Sequence, residues 1–382
     1  MRQRIGFLIS HPIQYYTPIF RELAKHCDLT VFFAHRQTAS QQAEGGYGVA
    51  FDWDVDLLSG YENRFLTNVA PRPSTSHFGG CNTPEIAARI AEGRFDAFVV
   101  PGWSLRSYWQ AVRACRQLGV PVMVRGDSQL ASPRRAMLRL AKELVFPRMM
   151  KLFDGYLYVG ERNRRYLEHY GAPADRLFFS PHCVDNSAFS NASSKATKAA
   201  RRSVLFAGRL VPYKRPLDVV NALARLATGG RSVGLVVAGA GELEADLKDA
   251  VQASGVDATF LGFVNQSRLP EVYAAADALV LPSGAEETWG LVVNEAMACG
   301  IPAVVSDAVG CGPDLVRPGA TGEVAPWGDV AELAAAIDRV LDFDPVATRR
   351  SLAERMAVYS PERAALGIVA AGAALAGRTR LG

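Results

Sequence analysis

The sequence predicts an α/β protein in which two Rossmann-like domains, each with a parallel sheet, face a central cleft. A length of 382 residues suits two or three domains of roughly 150 residues each. Short apolar runs alternate with helical patterns, which is typical of parallel strands joined by crossover helices. The alternation restarts after the polar segment Asn191–Arg202, which we therefore interpret as a linker.

Composition excludes several classes of protein. Hydrophobic residues make up 49% and charged residues 21%, which argues against disorder, collagen and coiled coils. A net charge of +4 is too small for a general nucleic-acid binder. The charge is uneven, because residues 1–190 carry 23 basic and 17 acidic side chains and residues 191–382 carry 19 and 21. The six cysteines include no C-x-x-C pair and fit reduced thiols better than disulfides or zinc ligands.

The first domain is predicted over residues 1–190, and a C-terminal helix over about residues 360–382 is predicted to complete it. Its strand candidates are short apolar runs at Arg4–Ser10, Leu29–Ala34, Ala97–Pro101, Pro121–Arg125 and Gly155–Val159. Helical patterns lie between them at Tyr16–His26 and Trp103–Leu118.

The second domain is predicted over residues 203–359. Its strand candidates are Ser203–Ala207, Ser232–Ala238, Thr259–Phe260, Ala278–Pro282 and Pro302–Ser306. Its helical patterns are Arg215–Ala227, Glu242–Ser254, Gly290–Cys299 and Val330–Leu341. In the last of these, apolar residues recur at the spacing that one buried helix face requires: Leu333, Ile337, Val340 and Leu341.

The segment from Leu279 to Gly310 is the richest in candidate chemistry. A strand ends at Pro282 and a helix opens near Gly290, which places free backbone N–H groups beyond the carboxyl end of a strand. Such a helix start stabilises an anion such as a diphosphate. Glu287 and Glu295 would repel a phosphate, so they suit sugar hydroxyls instead; alternatively they are an ordinary loop acid and helix acid.

Two other strand ends carry candidate residues. Arg209 and Lys214 follow a strand and can both reach a diphosphate in the cleft, unless they are only solvated loop residues. A G-x-G at Gly239 also follows a strand, but Glu244 stands where a dinucleotide fingerprint has its third glycine. We interpret the G-x-G segment as a tight strand-to-helix turn.

Five segments of this half, in their order and spacing, resemble successive motifs of the family-4 retaining glycosyltransferases of the GT-B fold. They are "GRLVPYKRP", "VVAGAGEL", "FLGFV", "LPSGAEETWGLVVNEAMACGIPAVVSD" and "GPDLVRPGATGEV". The resemblance extends over roughly Ser203 to Leu341. It implies the GT-B pair of Rossmann-like domains and a nucleotide-diphosphate sugar as co-substrate, with no further cofactor.

The resemblance also implies roles for individual residues. Arg209 and Lys214 match the pair that binds the donor diphosphate, and Glu287 matches a carboxylate that contacts the transferred sugar. Glu295 matches an acceptor of hydrogen bonds from the ribose. The remaining implied donor-binding residues are Gly208, Phe263, Val264, Gly290, Leu291 and Val292. Asp314 stands where a glutamate is commoner, and we expect little consequence because the carboxylate is kept.

The first half is less typical of the family. Its opening "SHPIQYYTPIFREL", with "PHCVD" at Pro181–Asp185, resembles a bacterial subgroup linked to surface polysaccharide and related glycan assembly. His11 and Gln14 follow the first strand and are expected to face the cleft. Because the family's donor-sugar histidine is missing from Val99–Ser104, we hypothesise that His11 partly takes its place; alternatively His11 caps the following helix.

Three further features of the first half have acidic or histidine side chains. Asp127, in "VRGDSQ", follows another strand and is a candidate acceptor-binding residue or a turn former, whereas His182 is expected to be structural. The alternating acids of Asp52–Asp56 suggest a metal site. They lie far along the chain from the donor motifs and suit the polar face of a strand, so we expect no metal.

A basic helix is predicted from Pro133 to Phe146, interrupted by Pro147. Cationic and apolar residues fall on opposite sides: Arg135, Arg139 and Lys142 against Met137, Leu140 and Leu144. Such a helix can lie on an anionic membrane surface, or can pack its apolar side inward as an ordinary surface helix. No segment is long enough for a signal peptide or membrane span, so we expect a cytoplasmic protein, at the inner face of the membrane if this helix binds lipid.

These interpretations predict a retaining, metal-independent glycosyltransferase that passes a sugar to a glycan or lipid-linked acceptor in bacterial surface polysaccharide or glycoconjugate synthesis. Three alternatives stay open. They are a nucleotide-sugar epimerase or hydrolase of the same fold, a non-catalytic nucleotide-sugar-binding scaffold, and a nicotinamide-dependent Rossmann enzyme.

Overall fold

The chain folds around two parallel sheets, as the alternation of elements predicts. The computed structural model describes residues 2–43, 49–132, 136–193 and 201–379. The strands of the first sheet are β1 (Arg4–Ile9), β2 (Asp28–Phe33), β3 (Glu62–Phe65), β4 (Ala97–Val100), β5 (Val122–Gly126), β6 (Gly155–Tyr158) and β7 (Leu177–Phe179). Those of the second are β8 (Ser203–Ala207), β9 (Gly234–Ala238), β10 (Ala258–Gly262), β11 (Ala278–Leu281), β12 (Ala303–Ser306) and β13 (Gly322–Ala325).

The two sheets share one topology. The first has the order β3-β2-β1-β4-β5-β6-β7 and the second has the order β10-β9-β8-β11-β12-β13. In both, the strand order reverses direction beside the first strand, and ligands bind beyond the carboxyl ends of the strands at that point. Most of the strands are short and apolar, because helices cover both faces of each sheet, whereas the edge strand β3 is polar.

Helices connect the strands. In the first half they are α1 (Thr17–His26), α2 (Ala39–Gln42), α3 (Ile86–Gly93), α4 (Arg106–Leu118), α5 (Ala136–Met150), α6 (Glu161–His169) and α7 (Asn186–Ser193). In the second half they are α8 (Pro216–Thr228), α9 (Glu244–Ser254), α10 (Leu269–Ala275), α11 (Leu291–Ala298), α12 (Gly312–Leu315), α13 (Val330–Leu341), α14 (Pro345–Val358) and α15 (Pro361–Thr379). Among the helices of the described ranges, none has both the length and the apolar character needed to cross a membrane.

The last helix returns to the first sheet. Helix α15 packs against α1, β6 and β7, and buries Ala364, Ile368 and Ala371 in the same core cluster as Ile5 and Phe7. Small side chains at this face let the helix lie close to the sheet. The first unit therefore uses both ends of the chain.

Some boundaries differ from the sequence prediction. Strands β3, β7 and β13 were not predicted. Helix α7 extends to Ser193, so the segment predicted as a linker from Asn191 begins inside a helix, and residues 194–200 lie outside the described residues.

Helix α5 differs most from its prediction. It continues through Pro147 to Met150, because Met150 is fully buried and Phe146 packs on Trp103, contacts that outweigh the roughly 3 kcal/mol cost of an internal proline.

The sides of α5 are also reversed. Lys142 is only 8% exposed, with its ammonium 4.2 Å from the centre of the Phe146 ring, whereas Leu140 and Leu144 are 67% and 62% exposed. The prediction that Lys142 presents its charge to a membrane is therefore wrong. Arg135 lies outside the described residues, and the structure does not describe the Arg139 side chain.

Candidate active site

A cavity of about 700 Å³ lies between the two halves, beyond the carboxyl ends of both sheets. Segments that follow β1, β5, β8 and β11 all reach it, as the shared topology requires. It brings together nearly all of the residues predicted from the sequence: Gln14, Asp127, Gly208, Arg209, Lys214, Phe263, Val264, Glu287, Gly290, Leu291, Val292 and Glu295.

The centre of the cavity holds an ion pair. Lys214 Nζ lies 2.5 Å from Glu287 Oε2, and the same oxygen accepts a hydrogen bond of 3.3 Å from Ser283 Oγ. Lys214 follows β8 and Glu287 follows β11, which are neighbours in the sheet. The pair is largely buried, so each charge depends on the other until a ligand enters.

Arg209 is held by Tyr213, for which the sequence predicted no role. Its Nη2 donates a hydrogen bond of 2.9 Å to the hydroxyl of Tyr213, and the carbonyl of Tyr213 accepts a bond of 2.7 Å from Gly284 N–H. Tyr213 therefore ties the loop after β8 to the loop after β11. Its place between Arg209 and Lys214 in "GRLVPYKRP" was the available signal.

Helix α11 points its first turn at the cavity. Gly290 precedes it with a φ of 97°, a left-handed conformation that favours glycine. The first turn of a helix leaves its N–H groups without intrahelical partners, so Leu291 and Val292 present amides and the positive end of the helix dipole to an anion.

The G-x-G after β9 packs against the loop that carries Arg209. Gly239 has a φ of +155°, and a Cβ atom at this position would lie 1.8 Å from the carbonyl oxygen of Gly208. This supports the interpretation of the segment as a tight turn, since the glycine is needed for close backbone approach.

We expect Gly239→Ala to lower the free energy of unfolding by about 3 kcal/mol, through the clash with Gly208 and the disfavoured φ. The matched control is Gly230→Ala, because Gly230 has a φ of +86° but no atom within 4 Å of an added Cβ. The control should cost only about 1 kcal/mol. Urea unfolding measures both, and equal losses would contradict the close-approach argument.

Glu295 is buried beside the ion pair. Its Oε2 accepts a hydrogen bond of 2.6 Å from the hydroxyl of Tyr273, a residue on α10 that no sequence pattern linked to the site. Burial raises the pKa of Glu295 to about 7, although Tyr273, Gln266 and Lys214 oppose the shift. The carboxyl group therefore changes charge near neutral pH.

The raised pKa of Glu295 predicts a pH-dependent stability. The folded-state pKa exceeds the unfolded value, so this carboxyl does not affect the free energy of unfolding below about pH 4. Its ionisation lowers that free energy progressively between about pH 4 and pH 7, and the loss is constant at higher pH. Glu295→Gln should therefore gain up to about 3 kcal/mol relative to wild type between pH 4 and pH 8. Urea unfolding at both pH values measures this, with Glu244→Gln on exposed α9 as control; a pH-independent difference would contradict the argument.

Asp127 bridges the two halves. Its Oδ2 accepts a hydrogen bond of 2.7 Å from Thr288 Oγ1 and lies 3.9 Å from His182 Nε2. Enclosure between the halves opposes ionisation, but the contacts with His182 and Thr288 outweigh it and lower the pKa of Asp127 to about 2. Burial lowers the pKa of His182, so this ring is neutral near pH 7. A charged carboxylate thus faces the cavity from the first half.

His11 is the predicted residue that does not line the cavity. Its Nδ1 lies 3.0 Å from Ser10 Oγ, and burial, with a smaller contribution from His35, lowers its pKa to about 4. Helix α1 starts at Thr17 and has no side-chain cap, so His11 does not cap it either. The alternative that His11 caps this helix is therefore wrong. Its partial replacement of the missing histidine stays a prediction, since the nearby Gln14 does line the cavity.

The acids of Asp52–Asp56 lie elsewhere than expected. They are not on a strand, and Trp53, Val55 and Asp56 line the cavity although they are remote from the donor motifs along the chain. Asn265 Nδ2 donates a hydrogen bond of 2.8 Å to the carbonyl of Asp52, and Ser267 N–H donates one of 3.0 Å to Asp54 Oδ1. Within the described ranges, no group of three or more His, Cys, Asp and Glu side chains is arranged to hold a metal.

Asp314 also connects the halves. Its Oδ1 accepts hydrogen bonds of 2.9 Å from Glu161 N–H and 2.8 Å from the Tyr359 hydroxyl. Burial raises its pKa. The shorter aspartate therefore has a defined structural function at the interface between the halves.

Comparison with known proteins agrees with this geometry. A family model described as "Glycosyl transferases group 1" matches residues 190–361. The matched segment, slightly less than half of the chain, is similar to that family. It contains the ion pair, Arg209, Glu295 and α11.

Sequence similarity to curated glycosyltransferases covers only part of the chain, whereas structural similarity extends over nearly all of it. Over 186 residues the chain is 34% identical to a D-inositol 3-phosphate glycosyltransferase of Mycolicibacterium smegmatis, which covers 46% of this chain and 42% of that protein. The chain thus matches less than half the length of this curated relative.

Solved structures match over nearly the whole chain. Sucrose-phosphate synthase of Thermosynechococcus elongatus superposes with a TM-score of 0.67 at 20% identity, covering 96% of this chain and 97% of that chain. Anabaena HepE in complex with UDP and glucose does so with a TM-score of 0.65 at 18% identity and the same coverage. Likeness at this identity concerns the fold, and the predicted pair of parallel-sheet domains of the GT-B type is confirmed.

Proposed function

We propose that the protein is a retaining, metal-independent glycosyltransferase that moves a sugar from a nucleotide-diphosphate donor to a glycan or lipid-linked acceptor. One observation carries the proposal. Arg209, Lys214, Glu287 and the start of α11 converge on one cavity that both halves line. This is the arrangement that a departing diphosphate needs, since cations and oriented amides face the place where negative charge develops.

The donor is proposed to lie along the second half. Arg209, Lys214 and the amides of α11 would bind its diphosphate, and Glu295 would accept hydrogen bonds from its ribose. The base would lie at Phe263 and Val264, which line the cavity beyond Glu295. The complex of Anabaena HepE with UDP and glucose supports a donor of this class.

The proposed reaction needs no group beyond the two substrates and these side chains. The bond between the anomeric carbon and the phosphate oxygen breaks, and the electron pair stays on the diphosphate. The acceptor oxygen bonds to the same face of the sugar, and its proton passes to the departing phosphate oxygen. Before this step, as the donor binds, Lys214 exchanges its contact with Glu287 for the diphosphate, which leaves Glu287 to accept hydrogen bonds from the sugar.

The acceptor is proposed to bind in the first half, beside Gln14 and Asp127. The opening "HPIQYY" supports a place in bacterial surface polysaccharide or glycoconjugate synthesis by its resemblance. The relative from Mycolicibacterium smegmatis is named for D-inositol 3-phosphate, so acceptors across the family need not be alike.

Membrane contact, if the acceptor is lipid-linked, is assigned to the exposed apolar side of α5. The side chains of Leu140, Leu144 and Val145 are exposed on this side of the helix, whereas Lys142 is buried. We expect Leu140→Asp with Leu144→Asp to reduce sedimentation with liposomes of mixed neutral and anionic lipid at least fivefold. Leu118→Asp, on the exposed end of α4, is the matched control. Unchanged sedimentation of the double variant would contradict this assignment.

Thermal-shift screening against nucleoside diphosphates and nucleotide sugars tests the proposed donor. A nucleotide sugar should raise the melting temperature, and NAD should not. With the donor so identified, proton NMR of the product gives its anomeric configuration. Retained configuration supports the proposal, inverted configuration overturns the retaining mechanism, and release of free sugar without any acceptor would indicate a hydrolase.

A further inference from the structure

A second, smaller cavity of about 150 Å³ lies in the first half, beyond the carboxyl ends of β1, β4 and β5. It adjoins the large cavity, because Tyr15, Asp127 and His182 line both. Every residue of its wall comes from the first half. Arg209, Lys214 and Glu287 take no part in it.

The wall contains a buried arginine at the end of β5. Arg125 has no exposed surface. Its Nε donates a hydrogen bond of 3.1 Å to Ser180 Oγ. Its Nη2 donates hydrogen bonds of 3.2 Å to the Ser180 carbonyl and 2.8 Å to the Pro181 carbonyl. Ser180 is itself held by α15, since its hydroxyl donates a hydrogen bond of 3.1 Å to the carbonyl of Ala364. The guanidinium is therefore fixed in position.

One end of this guanidinium is unpaired. Among the described residues, the buried Arg125 Nη1 has no hydrogen-bond partner, and the same holds for His182 Nδ1. In the described part of the chain, no carboxylate forms an ion pair with Arg125. A buried charge without a counterion is costly, so the fold retains at this point a cation that its own residues do not neutralise.

We propose that this cavity binds a carboxylate carried by the sugar acceptor, with Arg125 Nη1 as the donor that receives it. The proposal rests on the proposed function, because it takes the first half to be the acceptor side. The acceptor would span both cavities, with its acidic group on Arg125 and its reacting hydroxyl beside Asp127.

The charges favour a singly charged group. Asp127 is ionised and lines the same wall, whereas His182 is neutral near pH 7. One free guanidinium end can neutralise one negative charge, and a doubly charged phosphate would meet repulsion from Asp127. The volume also suits a small group, since it equals the space of about five waters. A hexuronate or another sugar acid in a glycan fits these conditions.

Ligand-detected NMR titration tests the proposal with three matched probes: D-glucuronate, its methyl ester and D-glucose. A hydrogen bond to a buried charge predicts that glucuronate binds roughly tenfold to a hundredfold more tightly than the other two. Arg125→Met should abolish this preference, Arg125→Lys should keep part of it, and Arg209→Met, on the donor side, should leave it intact.

A second variant avoids loss of the buried arginine. Gly126 lines the cavity, and no described atom lies within 4 Å of a Cβ added to it, so Gly126→Val introduces its side chain at an open position of the wall. It should weaken glucuronate binding at least tenfold with an unchanged melting temperature. Equal binding of acid, ester and alcohol would overturn the proposal, as would tighter binding of glucose 6-phosphate or a preference that survives in Gly126→Val.

Nucleoside-diphosphate binding, measured on the same samples, separates this proposal from the proposed function. A protein that binds the nucleotide but shows no preference for the acid overturns only the carboxylate site. A protein that binds no nucleotide sugar overturns the proposed function, whatever its preference among the three probes.

Discussion

Glu287→Gln is expected to lower the turnover of glycosyl transfer roughly a hundredfold to a thousandfold, the range seen when one preorganised electrostatic contact to a transition state is lost. Glu287 Oε2 is 2.5 Å from Lys214 Nζ, so this carboxylate both orients the ammonium and faces the proposed sugar position. The amide has the same shape and still accepts a hydrogen bond from Lys214. The fold should therefore persist while the negative charge is lost.

The neighbouring acid offers a matched control for this variant. Glu286 lies in the same loop, is exposed and does not line the cavity. Glu286→Gln should keep turnover within about twofold of wild type. Initial rates with saturating donor measure both variants, and a Glu287→Gln protein with turnover close to wild type would contradict the assigned role.

Lys214→Gln is expected to have the second large effect, and to affect binding as well as turnover. It removes a cation from the proposed diphosphate site, so nucleoside diphosphate should bind about tenfold more weakly and turnover should fall roughly a hundredfold. It also leaves Glu287 unpaired in a largely buried place, which should cost about 3 kcal/mol of unfolding free energy. Calorimetric titration and urea unfolding measure the two effects.

A double variant separates the structural from the functional part of this ion pair. Lys214→Gln combined with Glu287→Gln removes both charges, so much of the lost stability should return while turnover stays low. Lys248→Gln, on exposed α9, controls for the general loss of a lysine. Recovery of turnover together with stability would mean that the pair only supports the fold.

The donor side of the cavity was largely predictable because its residues lie in short local units. In each unit a strand, a loop and a helix start follow one another within about twenty residues, as from Ala278 to Ala298. Backbone geometry places such a loop at the carboxyl end of the sheet, whatever the rest of the chain does. Arg209, Lys214 and Glu287 therefore meet where the order of motifs indicates. Tyr273 was missed because it reaches Glu295 from another helix.

The first half was less predictable because its side chains are positioned by partners remote in the sequence. Asp54 is bound by Ser267, which lies in the other half, and this contact draws the acidic segment over the cavity. Lys142 faces inward because Tyr166 on α6 and Tyr170, directly after this helix, place aromatic rings beside its ammonium. Helical periodicity shows which residues share a face, but the neighbours decide which face is buried.

Sequence patterns alone established the fold class, the order of the donor motifs and the small number of cations that matter, because periodicity and loop position are local properties of the chain. Tertiary structure decided the pairing of Lys214 with Glu287, the contact of Asp127 with Thr288 and the burial of Arg125 with its Nη1 unpaired among the described residues. The physical reason is that burial and electrostatic pairing are set by groups brought together from distant parts of the chain, and no local pattern records those distances.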